Sequence, residues 1–284
     1  MVELLYQPSL RSKLGVLLAS ARMRLITISR YRGQLALDLV MPIVFAAMPI
    51  LLGRATGGAA AADNFLRNTG TANYVAYMLI GSSAFTIVTY AFWHTGYWVR
   101  WEQETGTLEA IYLAPTNKLW LVAGVALYSM LRSLISATAA YLIGSAIFHV
   151  NPFQGELLIA VAFVVSGLVP LLGVSFLFGA LILKLKQANA LVNLMQWGVT
   201  LLMGVFFPVA VFPPMARVLA WLFPPTWMVN GVRSALLGVG FFFGRWYRDM
   251  AVLWAFMLIA PLLGAWVFAR VERNIRRNAG MGEY

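Results

Sequence analysis

Few residues in this chain have side chains capable of acid–base or metal chemistry. The 284 residues include ten acids, two histidines and no cysteine. Three of the ten acids, Glu102, Glu104 and Glu109, fall in one stretch, 101–117, which reads WEQETGTLEAIYLAPTN. Glu102 and Glu104 are two residues apart, and on a helix such residues do not face each other. They read as a charged face or a partner contact, not as a paired general acid and base. His94 has no second histidine or acid at ligand spacing, and with Tyr97 and Trp98 it reads as an aromatic band at a membrane interface. The absence of cysteine excludes disulfides and thiolate-held metals. There is no Gly-Lys dipeptide, hence no GxxxxGK[ST] phosphate loop, and no HExxH, GxSxG or GxGxxG. The chain is therefore expected to have no catalytic residues, no metal site and no cofactor of its own, and not to be an enzyme.

Composition sets what must position these residues. Hydrophobic residues make up 61% of the chain and charged ones 11%, against about 25% charged in an ordinary soluble domain. Mean hydropathy is +0.78. This is an integral membrane protein, all-α and polytopic. The net charge of +11 is spread over short flanks of apolar runs, which is how topology is written. It lacks the clustered basic face of a nucleic-acid binder, so no nucleic acid is expected as a partner. The run 14–19 after Arg11 and Lys13 is too short for a signal peptide and meets Arg22 and Arg24 at once; no leader is expected.

In order, residues 1–34 place Leu14, Leu17, Leu18, Ala21, Leu25 and Ile28 at helical spacing. Arg11, Lys13, Arg22 and Arg24 lie at the edges of that stripe, where they can snorkel. The segment reads as an amphipathic helix in a membrane surface, the alternative being a solvated leader. Six spans follow, at 35–53, 74–99, 119–150, 157–183, 191–211 and 250–268, each near or above the roughly 20 residues a crossing needs. Asp38 in the first span is expected either to pair with Arg32 or another arginine, or to carry a proton. The third run, if one helix, is about 48 Å long, so its first turns should project from the membrane and let Arg132 snorkel at the interface. In the fifth span, Asn193 and Gln196 either bond a neighbouring helix or line a substrate path.

Between the spans, 54–73 is rich in small residues and is expected to be a loop with little structure. Segment 101–117 contains a short helical pattern, with Leu108, Ile111 and Tyr112 on one face and Pro115 ending it. So short a helix is marginal alone and must pack on something. Segment 212–244 is apolar but broken by Pro213, Pro214, Pro224 and Pro225. Its pieces, 215–223 and 226–237, are too short to cross and read as re-entrant half-helices hinged at those prolines, with Trp221, Trp227 and Trp246 at headgroup level. Gly240 and Gly244 form a GxxxG that would mark close helix packing. Trp227, with Asn193 and Gln196, is a candidate for the substrate path.

With six spans, both termini fall on one side. That side carries fourteen Lys and Arg in its flanks and the other six, so the richer side is cytoplasmic. The segment 100–118 then faces the cytoplasm and 212–244 faces outward.

The chain resembles the permease subunits of the ABC-2 type exporter family. The likeness rests on the order of a basic amphipathic helix and six spans. It rests also on Glu102-Gln103-Glu104-Thr105-Gly106-Thr107-Leu108-Glu109 through Leu113-Ala114-Pro115, which is similar to the family's E-x-G-T-L-E-x-L-x-x-x-P coupling segment. The proline-rich stretch from Phe206-Phe207-Pro208 through Phe212-Pro213, Trp221, Pro224-Pro225 and Arg233 extends it over nearly the whole chain. The resemblance implies a single membrane domain, 1–284, that forms a pore with a second permease chain as a homodimer or heterodimer. It implies that a separate ATP-binding cassette ATPase, holding ATP and Mg, docks Gly106, Thr107, Leu108, Glu109, Ile111, Tyr112 and Pro115. Glu102, Glu104 and Glu109 would offer it charge, and the helix carrying Arg11, Lys13, Arg22 and Arg24 would clamp it. Substrates of the family are lipids, polymers and hydrophobic drugs leaving the plasma membrane's inner leaflet or the cytoplasm. The competing readings are a proton-coupled secondary transporter using Asp38 and a membrane enzyme acting on lipids. The first would need more intramembrane ionisable groups and inverted repeats, the second a clustered catalytic set.

Overall fold

The computed structural model describes residues 9–57, 60–113, 118–184 and 188–278. Among them the chain is helical, without a strand. Five helices are long and apolar enough to cross a membrane. They are α2 (Arg32–Gly57), α4 (Tyr74–Tyr90, continued by a π-helical segment Ala91–Gly96), α7 (Lys118–Phe148), α8 (Leu157–Lys184) and α12 (Trp246–Asn278). Around them lie α1 (Leu10–Ser29), α3 (Ala60–Thr69), α5 (Trp98–Glu104), α6 (Leu108–Leu113), α9 (Ala188–Leu202), α10 (Pro214–Trp221) and α11 (Pro224–Leu237).

The apolar window of α4 is 83% buried, against 22% for those of α2 and α12. So α4 is the centre of the bundle, and α2 and α12 turn apolar faces outward. Val88 of α4 meets Leu171, Met203, Val205 and Val229 in a shared core. Helices α8 and α12 cross closely. A Cβ on Gly173 would lie 2.0 Å from the Ala260 carbonyl, and one on Gly264 would lie 2.2 Å from the Gly173 carbonyl. In a membrane, where apolar burial drives little helix pairing, such small-residue contacts are what bring helices together.

Several expectations need correction. The segment 54–73 is not a plain loop, since α3 occupies half of it. Alanines there favour helix, and Phe65 packs edge-on against Tyr77 at 5.1 Å, tying α3 to the bundle. The apolar run 191–211 is not one helix. It ends at Leu202, nine residues early, because Gly204 takes φ +61 and Pro208 precedes a 3-10 turn at Val209–Val211. The remaining 15-residue α9 is about 22 Å long, less than a hydrocarbon thickness of about 30 Å. Gly240 and Gly244 do not sit on a helix; they adopt φ +108 and +75 in the loop after α11. That loop is pinned by Asp249, which is fully buried and accepts from the backbone N–H groups of Phe242 and Phe243 at 2.8 and 2.9 Å.

The proline-broken segment folds as α10 and α11, each with proline in its first turn. Proline is favourable there because its missing N–H would be unsatisfied anyway. Gly238 ends α11 in the left-handed conformation at φ +68. Pro42, Pro49, Pro170 and Pro261 lie inside continuous helices.

Candidate functional site: the turn between α5 and α6 and its supports

The acidic segment folds as a helix–turn–helix. Gly106, at φ +72, closes α5 in a Schellman-type turn, with Thr107 N donating to the Glu102 carbonyl at 3.0 Å. Thr107 then starts α6, its carbonyl accepting from Ile111 N at 3.1 Å. A Gly-Thr pair is suited to this double duty, since glycine tolerates the left-handed position and the next residue caps the following helix.

Glu102 is the hub. It is 7% exposed. One carboxylate oxygen is ion-paired with the Arg24 guanidinium of α1, and the other accepts from the Thr107 hydroxyl. A single carboxylate thus ties α1, α5 and the start of α6 together. Glu104 accepts from the Tyr97 hydroxyl at 2.8 Å. Beneath, Trp98 and the partly buried Ile111 pack on Val122 of α7, Phe176 of α8 and Phe268 of α12. The segment therefore rests on three of the five long helices. Its outer surface is open at Glu104, Thr105, Gly106 and Thr107, and Leu113 is 85% exposed. Leu108, Glu109 and Tyr112 lie on α6; Pro115 falls outside the described residues.

Helix α1 lies against α7. Ser20 Oγ donates to the carbonyls of Leu17 at 3.0 Å and Leu121 at 3.1 Å. A Cβ on Gly124 would lie 1.9 Å from Ser20 Oγ. The inward face holds Ser20, Ala21 and Arg24, while Leu10, Leu14, Leu18 and Leu25 remain exposed. Arg11 and Arg22 are exposed and Lys13 half-buried. The apolar stripe expected from spacing is thus split. Small residues seat the helix on α7, and leucines point away from it.

A second buried ion pair lies nearby. Arg132 of α7 donates to Asp38 Oδ2 of α2 from Nε at 2.8 Å and from its terminal NH2. Its other terminal nitrogen donates to the Tyr128 hydroxyl at 3.1 Å, and the guanidinium stands over the Tyr90 ring at 5.1 Å. Arg132 is 8% exposed. It does not snorkel outward as expected, because a carboxylate on the facing helix satisfies it. Asp38 does pair with an arginine, and that arginine is Arg132.

Sequence reasoning gave Arg233 only a place in a motif. It is 2% exposed on α11. It donates to the Tyr77 carbonyl from Nε at 3.2 Å and from NH2 at 3.0 Å, to Gly204 O at 2.7 Å and to Val205 O. Its guanidinium lies 3.5 Å from the Tyr77 ring centroid. A guanidinium does not give up its proton in proteins, so Arg233 is a cation held by carbonyl oxygens. The signal was a lone arginine in an apolar half-helix, which needs either a carboxylate or, as here, a set of carbonyls. Trp227 is 3% exposed, with its indole N–H donated to the Trp221 carbonyl at 2.7 Å, and its ring packs on Phe242 and Phe243. It is core, not headgroup-level surface. Asn193 is exposed and Gln196 half-buried on α9, and the structure does not bring either to Trp227's core position.

Fold and site define a class: a multi-pass helical membrane protein with an interface helix locked to a short helix–turn–helix at one end of the bundle. The profile of the ABC-2 type transporter family matches residues 16–237, and the chain belongs to that family. It is a membrane permease of the ABC-2 type. No curated protein matches the sequence.

Proposed function

We propose that the chain is the membrane-spanning subunit of an ATP-driven exporter. It works with a separate ATP-binding cassette ATPase and a second permease chain, and it moves an amphipathic or hydrophobic substrate out of the cytoplasm or inner leaflet of the plasma membrane. The observation that carries this is the α5–α6 turn. Its buried side is fixed to α1, α7, α8 and α12, while its outer side presents Glu104, Thr105, Gly106, Thr107 and Leu113. An element rigidly seated within and bare without is suited to pass a push from a docked subunit into the spans. Both termini, α1 and this turn lie on the cytoplasmic side in this reading, by the distribution of Lys and Arg. In it α9 and the turn after it complete a sixth crossing, and α10 and α11 dip into the outer leaflet and return. The exposed leucines of α1 lie in the inner-leaflet surface.

The test is co-purification of an ATP-binding cassette ATPase with this chain from its native membrane. Leu108→Asp and Leu113→Asp, the latter at an exposed position, are expected to abolish retention while the permease still folds. Retention by both variants would overturn the docking assignment. Export that persists with vanadate blocking ATP hydrolysis would overturn the ATP-driven reading.

A further inference from the structure

The π-helical segment Ala91–Gly96 joins α4, the most buried span, to α5. π-helical turns are uncommon and gather at functional sites. Two buried side chains show why this one forms. Phe92 stacks on Phe178 of α8 at 4.8 Å, and the Tyr97 hydroxyl donates to Glu104. They are five residues apart in the sequence, which on an α-helix sets them about 140° apart around the axis. A π turn bonds residue i to i+5, and here Tyr97 N donates to Phe92 O at 3.1 Å. Both rings are thereby buried in the central core. The helix carries one residue more than an α-helix would need over the same length. Thr95 and Gly96 are weak α formers, so the segment is not strongly committed to either winding.

We infer that this segment is a register switch: the extra residue moves one turn up α4, toward Ile87, and 91–96 winds into α-helix. Each residue passed then steps back by one position, about 100° and 1.5 Å, into the place of the residue before it. Trp93 enters the place of Phe92 against Phe178, and His94 enters that of Trp93. Phe92, Trp93 and His94 are three consecutive rings, so both vacated places receive a ring. A half-open cavity of about 260 Å³, lined by Trp93 and His94 with Asp38 and Tyr90, gives the two moving side chains room to turn. Phe92 is the catch. Its ring has to enter the place of Ala91, which is buried, so the π register is the resting one. The switch reaches the acidic turn through Tyr97. Trp93 packs on Tyr97 at 5.6 Å and gives way to His94, while Tyr97 keeps Glu104. The use of the switch in transport rests on the exporter reading, in which a push on the turn is passed to the most buried span.

The test reads Trp93 by fluorine NMR in the full chain, labelled with 5-fluorotryptophan and held in phosphatidylcholine nanodiscs; Trp93→Phe identifies its line. Deleting Thr95 removes the extra residue below Trp93 and holds that ring where it now lies. Deleting Ala91 removes it above and holds Trp93 in the place of Phe92. The two deletions should give different Trp93 lines. The wild-type line should match the first and exchange with the second on the microsecond-to-millisecond scale of register shifts. Phe92→Ala should raise the second population about tenfold, the worth of one aromatic stack. Coincident lines in the two deletions would overturn the inference. So would a Phe92→Ala line that stays at the wild-type position without exchange, and this holds even if melting shows that neither deletion folds. No ATPase is present, so a failed switch leaves the exporter reading standing, and a failed co-purification leaves the switch standing.

Discussion

Arg24 and Glu102, 78 residues apart in sequence, form a part-buried ion pair that joins the interface helix to the acidic turn. The same carboxylate holds Thr107, so the pair also sets where α6 begins. Glu102 is consumed within the chain, and its charge is directed at α1, not at solvent.

Breaking this pair should loosen the turn without unfolding the bundle. Arg24→Ala leaves Glu102 with a hydroxyl partner but no cation, a loss of about 1–3 kcal/mol for a buried charged acceptor. Hydrogen exchange at 102–113 should speed up in Arg24→Ala and in Glu102→Gln. The charge-swapped Arg24→Glu/Glu102→Arg should recover part of the protection. Exchange unchanged in both single variants would show that α1 does not hold the turn.

The Asp38–Arg132 pair predicts a strongly non-additive pair of substitutions. Removing one member strands a buried charge and costs about 3–5 kcal/mol, whereas replacing both with apolar residues of similar size costs far less. Thermal melting of Asp38→Leu, Arg132→Met and the double variant should place the double above both singles. A pair that is structural also leaves the pH dependence of transport by Asp38→Asn unchanged from wild type. A flattened profile would instead favour the proton-carrier alternative.

These two pairs mark how far the sequence could be read. An acid inside an apolar run needs a cation, so a partner for Asp38 was legible. Which arginine was not, because the pairing of residues 94 apart depends on how α2 and α7 pack. The short helix α6 was visible in its own residues, but α5 and the left-handed turn at Gly106 that separates it from α6 were not. The end of α9 was hidden because apolarity continues from 191 to 211 while the backbone does not; Gly204 and Pro208 broke it, and hydropathy is blind to both. Helix α3 was missed for the opposite reason: its small residues resemble a loop, and it is Phe65 against Tyr74 and Tyr77 that makes it a packed element. The carbonyl cradle of Arg233 comes from two segments far from it in sequence, α4 and the Gly204–Val205 turn, and no local pattern could announce it.

Glycine substitutions should separate packing from propensity. Gly173→Ala places a methyl group against the backbone of Ala260 and Pro261, atoms that cannot step aside without moving α12. The cost should reach about 3 kcal/mol, seen as a lower melting temperature and poor recovery after extraction. Gly15→Ala on α1 meets nothing within 4 Å and should stabilise by about 0.5–1 kcal/mol through helix propensity. Similar melting for the two variants would contradict the tight α8–α12 crossing.

Arg233 offers the sharpest test of how the proline-broken segment is held. Its guanidinium joins three places: Tyr77 on α4, the Gly204–Val205 turn after α9, and α11 itself. A planar fork serves three carbonyls at once and stacks on the Tyr77 ring; the compact ammonium of lysine does neither well. Arg233→Lys should therefore behave almost as badly as Arg233→Met, which contradicts the usual view of the swap as conservative. Each should cost about 2–4 kcal/mol, as buried carbonyls lose charged donors. Gly81 supplies a second handle, because a Cβ there would lie 2.1 Å from Val205 O and 2.2 Å from the Arg233 guanidinium. Gly81→Ala should thus displace the same contact from the opposite helix. Hydrogen exchange across 203–212 is the readout, and all three variants should open that turn while leaving the α5–α6 turn protected. Full protection in Arg233→Lys would mean that charge alone, without the fork, is enough to hold α11 against α4.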